Sequence, residues 1–220
     1  MTINKGRYIV LTGFSGTGKS VIGSKVSDLM GWEFIDTDSE IVSASGKDIT
    51  TIFAEDGEAV FRDLEKKILS QAFNGTNRVI ATGGGVMVDP DNRSKVFEKG
   101  LVVCLEASAD TICQRLDVQH NSRNPETRPL LSESGNLDQI SSLKVNRQSS
   151  YAVAHWTIQT DFLSEDEVTS EVLKAWNLLH PKIYKDLAID PYWAATVTHS
   201  NGQYPILTGW GILDLSLIHI

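Results

Sequence analysis

Short apolar runs alternate along most of the chain with segments whose apolar positions recur every three or four residues. Tyr8-Ile9-Val10-Leu11 is the first such run, and an unbroken apolar tetrad suits a strand buried on both faces of a parallel sheet. Val21, Ile22, Val26, Leu29 and Met30 follow at helical spacing, with Gly31 as a stop. Residues 32–36 read as a second strand ending in acidic residues, and 48–55 as a short helical stretch. A longer helix opens at Gly57, with Val60, Phe61, Leu64, Ile68 and Leu69 as its core face. Residues 78–82 form the third strand and 101–106 the fourth, with helices over 109–116 and 137–151. The second of these helices carries Ile140, Leu143 and Val145 as apolar positions. The last strand is 156–159. Ser164 and Glu167 then have capping-box spacing ahead of a helix lined by Val168, Val172, Trp176 and Leu179, which His180-Pro181 is expected to close. This alternation predicts a three-layer α/β fold around a parallel five-stranded sheet.

Composition narrows the picture. With 220 residues the chain suffices for one substantial core with some length left over, and a net charge of -8 argues against a nucleic-acid or membrane-surface partner. Cys104 and Cys113 are the only cysteines and read as ordinary thiols, which favours a reducing compartment. No apolar run approaches the ~20 residues that span a bilayer, so a cytoplasmic protein is expected. The five histidines are scattered without an HExxH or cysteine partners, so no zinc site is expected.

The candidate chemistry starts at Gly13-Phe14-Ser15-Gly16-Thr17-Gly18-Lys19-Ser20, a G-x-x-x-x-G-K-[ST] match between the first strand and the first helix. Glycines there let successive N–H groups turn inward around phosphates, and the helix offers its positive end to the same anions. Lys19 would reach the β- and γ-phosphates and Ser20 would bind Mg²⁺. Asp36 and Asp38 follow the second strand, where carboxylates in open α/β sheets face ligands. The plainer reading of Asp38 is an N-cap for a helix beginning near Ser39. Gly83-Gly84-Gly85 after the third strand suggest either a close approach of the backbone or a flexible turn. Arg62 and Glu65, three apart, read as a surface pair worth a few tenths of a kcal/mol. From Asp117 to Asn136 the pattern turns polar, and Arg115, Arg123 and Arg128 in or beside this run favour a lid over phosphates.

Together, the phosphate loop at 13–20, Asp36-Thr37-Asp38, Ile52-Phe53-Ala54-Glu55-Asp56-Gly57-Glu58, Phe61-Arg62, the three glycines and Arg128-Pro129-Leu130-Leu131 resemble shikimate kinase over residues 7–179. That family belongs to the P-loop kinases built like nucleoside monophosphate kinases. The resemblance implies transfer of phosphate from ATP to the 3-hydroxyl of shikimate, in aromatic amino acid biosynthesis, with Mg²⁺ held by Ser20 and Asp36. It implies ATP binding by Gly13, Ser15, Gly16, Thr17, Gly18, Lys19, Ser20, Arg115 and Arg128, and catalysis by Asp38, Lys19 and Arg128. It likewise implies substrate binding by Asp38, Phe53, Phe61, Arg62, Gly83, Gly84, Gly85 and Arg147, in a monomeric kinase domain. Two departures stand out: Arg147-Gln148-Ser149-Ser150-Tyr151 replaces the usual Arg-x-Pro-Leu-Tyr, and the run between Arg115 and Arg128 is longer than is common. A kinase for another small hydroxy acid such as gluconate, and a catalytically silent sensor of nucleotide or shikimate, are the competing readings. The kinase is expected to span 1–180. Thr196-Val197-Thr198 and the stretch from Tyr204 to Gly211 resemble the first strands of 3-dehydroquinate synthase. Residues 181–214 are therefore expected to be a linker and the truncated start of such a domain, with its NAD and metal sites beyond it. Residues 215–220 read as a non-native tail.

Overall fold

Tyr8–Thr12 (β1), apolar but for its last residue, is buried throughout and lies in the middle of the sheet. The structure, a computed structural model, describes residues 7–120, 137–185, 193–199 and 202–207. Along them run α1 (Lys19–Met30), β2 (Glu33–Asp36), α2 (Thr37–Ser45), α3 (Ile49–Thr51), α4 (Gly57–Ala72), β3 (Arg78–Ala81) and α5 (Pro90–Lys99). They continue as β4 (Leu101–Glu106), α6 (Ala109–His120), α7 (Leu137–Tyr151), β5 (Trp156–Gln159) and α8 (Glu165–Lys185). The strands pair in parallel in the order β2-β3-β1-β4-β5. All five carboxyl ends therefore open on one side, delivering the phosphate loop, Asp36, Gly83, Glu106 and Thr160 to a common edge. A separate antiparallel pair, β6 (Trp193–His199) and β7 (Gly202–Leu207), follows.

Side chains of successive strand residues leave opposite faces, and the core divides accordingly. Ile9, Leu11, Leu101, Val103 and Leu105 meet Ile22 and Val26 of α1 and Val168, Val172 and Trp176 of α8. Val10, Val102 and Cys104 meet Leu69 of α4, Val96 of α5, Ile112 of α6 and Ile140 of α7. The expected three layers result. The capping box also forms, with Ser164 N–H donating to Glu167 Oε2 at 2.8 Å and Glu167 N–H to Ser164 Oγ at 3.3 Å.

Several expectations need correction. Trp32 lies outside β2 and stands edge-on to Trp176, with ring centroids 4.9 Å apart. Val21, Leu29, Val60 and Val145 are exposed, because each sits to the side of its helix's buried stripe. The helix expected to end at residue 116 runs on to His120. The last helix continues past Pro181 to Lys185: a proline removes one backbone donor, while the His180 ring lies on that of Trp176 with its Nδ1 2.8 Å from Trp176 O. Helix α5 was not anticipated, although Asp89-Pro90 marks its start; the Asp89 carboxylate caps Asp91 N–H and Asn92 N–H. Both cysteines are free, and burial pushes the Cys104 thiol up to about 12. No helix among the described residues is long and apolar enough to cross a membrane.

His155, buried beside Phe97, accepts the backbone N–H of Val102 through Nδ1 at 2.9 Å. Burial lowers its pKa to about 4 from 6.5. The unfolded chain therefore takes up the proton first, so this contribution is complete above about pH 6.5 and fades as pH falls toward 4. Relative to His155→Gln, which has no imidazole to protonate, the wild type is expected to lose about 2 kcal/mol of stability between pH 7 and pH 5 in urea titrations. A difference independent of pH would refute the assignment.

Candidate active site

The phosphate loop is shaped by what its glycines leave out. Gly13, Gly16 and Gly18 hold φ of +133°, +82° and +93°, and a Cβ on Gly13 would lie 2.1 Å from the Leu105 carbonyl oxygen on β4. Only glycine allows both the left-handed backbone and that approach. Thr17 Oγ1 and Lys19 Nζ each donate to Phe14 O at 2.8 Å, closing the loop on itself. Helix α1 starts at Lys19 with neither a side-chain cap nor an acidic residue in its first turn, which leaves its positive end facing the loop.

Asp36 ends β2 and serves two neighbours. Its Oδ1 accepts Asp38 N–H at 3.0 Å and Ser39 N–H at 3.2 Å, while Oδ2 accepts Ser20 Oγ at 2.5 Å. The cap of α2 is thus Asp36 rather than Asp38, because only a residue preceding the first turn can reach those amides. Asp38 is left in the first turn, turned toward the end of β3. Ser20 and Asp36 present adjacent hard oxygens, the donor type that Mg²⁺ takes from protein while keeping waters and phosphate ligands.

Three glycines carry the chain out of β3 past the phosphate loop. Gly83 N–H donates to the buried Thr37 Oγ1 at 2.9 Å. A Cβ on Gly83 would stand 2.5 Å from Asp38 Oδ1, and one on Gly85 2.5 Å from Arg62 Nη1. One on Gly84 would lie 3.4 Å from Ser15 N and 3.7 Å from Arg147 Nη1. None of the three has a positive φ; close approach to the Asp38 and Arg62 side chains favours glycine at 83 and 85, while a Cβ on Gly84 would meet only ordinary contacts. Gly84 O accepts Arg147 Nη1 at 3.1 Å and the hydroxyl of Tyr151. Burial raises the Tyr151 phenol to about 12, so it remains a donor.

Arg62 is not the surface residue its helical spacing suggests. Its Nη1 donates at 3.0 Å to Glu65 Oε2, and Glu65 is only 1% exposed; Nη2 donates to Glu58 Oε1 at 3.0 Å. Burial raises the Glu65 pKa, offset in part by Arg62. Glu65 Oε1 accepts no hydrogen bond from the described residues and faces Gly83 beside Asp38. Glu65 falls on the buried stripe of α4, four residues after Phe61 and three and four before Ile68 and Leu69, so spacing carried the signal while its charge argued for solvent; Arg62 is what allows it inside. Phe53 and Phe61 stack at 4.7 Å with a 41° tilt, Phe61 largely buried against Ile41 and Ile52 and Phe53 partly open.

Across the phosphate loop lies a cavity of about 570 Å³, lined among others by Gly16, Gly18, Arg115, Thr160 and Ser164. Arg115 donates to Thr160 Oγ1 at 2.9 Å and Thr160 O at 2.8 Å, which orients its guanidinium plane. Next to it, Asp161 accepts Ser108 N–H at 2.9 Å and Thr111 Oγ1 at 2.6 Å. Burial alone would raise its pKa, yet these donors hold it far below the ordinary carboxylate range. Thr160 and Asp161 were not singled out from sequence; their only signal was position at the carboxyl end of the last strand. Arg123, Arg128 and the following Pro129-Leu130-Leu131 lie outside the described residues.

A profile of the shikimate kinase family matches residues 15–177. The shikimate kinase of Persephonella marina is 36% identical over 167 residues, which cover 76% of this chain and 97% of that protein. The solved shikimate kinase from Acinetobacter baumannii in complex with shikimate superposes with a TM-score of 0.70 at 31% identity, covering 80% of this chain and 94% of that one. A gluconokinase from Sinorhizobium meliloti reaches 0.51 at 20% identity over 82% of this chain and 97% of its own, a likeness of fold alone.

Gly85→Ala should push the Arg62 guanidinium aside while leaving the phosphate loop untouched. Calorimetric ATP binding is expected to stay within about twofold of wild type, whereas KM for a carboxylate acceptor rises about tenfold or more. Unchanged acceptor KM would show that Arg62 is not held by this contact.

Proposed function

The chain belongs to the shikimate kinase family, and we propose that it transfers the γ-phosphoryl group of ATP to the 3-hydroxyl of shikimate, giving shikimate 3-phosphate and ADP. The observation that carries the residue assignments is the convergence of Asp38, Arg62 and Arg147 on the bare segment at 83–85, beside Ser15 of the phosphate loop. Two guanidinium forks suit a planar carboxylate, which they can grip with paired N–H donors. Arg62 and Arg147 would thus hold the acid group of shikimate, and Glu65 Oε1 offers an open acceptor to a hydroxyl or a bridging water.

Asp38 would take the proton of the 3-hydroxyl as its oxygen bonds to the γ-phosphorus and the bond to the ADP oxygen breaks. Phosphoryl transfer demands little covalent work from the protein, so alignment and charge neutralisation carry the rate. Lys19, whose ammonium donates to Phe14 O in the phosphate loop, would neutralise the β- and γ-phosphates. Mg²⁺ bound by Ser20 and Asp36 would supply further positive charge to the β- and γ-phosphates. Arg115, held flat by Thr160, would stack on the adenine in the adjoining cavity. We further read β6 and β7 as the first strands of a synthase-like domain; about 30 residues bury no core of their own, so no synthase chemistry is expected from them.

Coupled ADP release with Mg-ATP, comparing shikimate, gluconate and no acceptor, tests the reaction. Turnover should depend on shikimate, and Asp38→Asn should lower kcat by about 10²–10⁴ with ATP binding retained. Acceptor-independent ADP release, or equal use of gluconate, would overturn the acceptor assignment.

A further inference from the structure

Ile140, Lys144, Arg147 and Tyr151 fall on one stripe of α7, at spacings of four, three and four. Little of this helix is apolar and buried: Ile140 and Tyr151 are, Leu143 is partly so, and Val145 faces solvent. Hydrophobic contact is non-directional, so these residues alone would let the helix slide and turn. Arg147 and Tyr151 both fasten on a single atom, Gly84 O, with the Arg147 guanidinium also over the Phe14 ring at 5.7 Å, and ties gathered at one end of the helix leave a pivot.

Lys144 closes that pivot. Its ammonium pairs with Glu106, the last residue of β4, and the two side chains are only 17% and 13% exposed. Seven residues separate Lys144 from Tyr151, about 10 Å along a helix axis, so the second tie lies well away from the first. Glu106 is itself immobilised: its carbonyl accepts Thr160 N–H at 2.8 Å and Thr160 Oγ1 at 3.0 Å, and Thr160 in turn holds Arg115. One residue thereby joins the nucleotide side of the site through its backbone to the acceptor side through its carboxylate.

We propose that the Glu106–Lys144 ion pair is a positioning device that fixes the rotation and height of α7, and so places Arg147, one turn further on, for the acceptor's carboxylate. The identity of that acceptor rests on the shikimate reading; the mechanical claim does not. Removing Glu106 leaves an uncompensated ammonium on α7 that must move toward water and takes the helix with it, while removing Lys144 frees the helix of this tie.

Lys144→Met and Glu106→Gln are expected to raise KM for shikimate about tenfold, with kcat within about threefold and KM for ATP within about twofold of wild type. Lys144→Arg should restore most of the affinity. The double variant Glu106→Gln/Lys144→Met, which buries no unpaired charge if either single variant fails to fold, should keep the raised shikimate KM. A double variant with wild-type KM, or a uniform loss of kcat and both affinities, would overturn the proposal. Amide exchange across α7 without substrates should quicken in Lys144→Met and recover in Lys144→Arg; unchanged exchange would also overturn it. Wild-type turnover with shikimate is read first. Its absence would strike the acceptor reading, and exchange then decides the positioning claim alone.

Discussion

The close passage of residues 83 to 85 beside Asp38, Arg62 and the phosphate loop is the constraint around which the rest of the site is arranged. A Cβ on the first would stand 2.5 Å from Asp38 Oδ1 and one on the third 2.5 Å from Arg62 Nη1. Between them Gly84 passes near Ser15 and offers its carbonyl to Arg147 and Tyr151. A carboxylate, two guanidinium groups and the phosphate loop can thus share one small volume. Gly83 and Gly85 leave room for the two side chains, and none of the three glycines has a positive φ.

Charge in that volume is managed by pairing and capping. Asp36 is held by two amides of α2 and by Ser20, so a carboxylate in contact with the phosphate loop is orientated before any ligand arrives. Glu65 is admitted to the interior by Arg62, and the same pairing turns Arg62 inward. An isolated carboxylate there would be expelled or protonated; an isolated arginine would point to water. The pair trades solvation for direction, which a site binding an anion beside another anion needs.

The parallel sheet decides what those groups can reach. Because the order is β2-β3-β1-β4-β5, the ends of β2 and β3 lie to one side of the phosphate loop and those of β4 and β5 to the other. Asp38, Arg62 and the three glycines gather on the first side and the cavity beside Arg115 on the second. Glu106, at the end of β4, touches both through Thr160 and Lys144. In-line transfer requires two ligands at fixed mutual distance, and a stiff sheet edge provides it.

The order of strands and helices, α5 apart, was legible in the sequence because unbroken apolar runs mark strands buried on both faces and period-3.6 stripes mark helices, and both signals are local. The phosphate loop was legible for a related reason: its eight residues are contiguous, and each glycine answers a local backbone demand. Likeness to a known family supplied Arg62, Asp38 and Arg147 as a set, where helical spacing alone put Arg62 on the surface. Tertiary structure decided what spacing could not: that Arg62 turns to a buried Glu65, that Thr160 lines the cavity with Asp161 held beside it, and that Lys144 finds Glu106. The last two depend on which strand ends become neighbours, a consequence of packing the sheet between its helices, whereas the Asp36 cap is local. Contacts between residues 30 to 90 positions apart leave no periodic trace, because their energy arises only once burial removes water from around them.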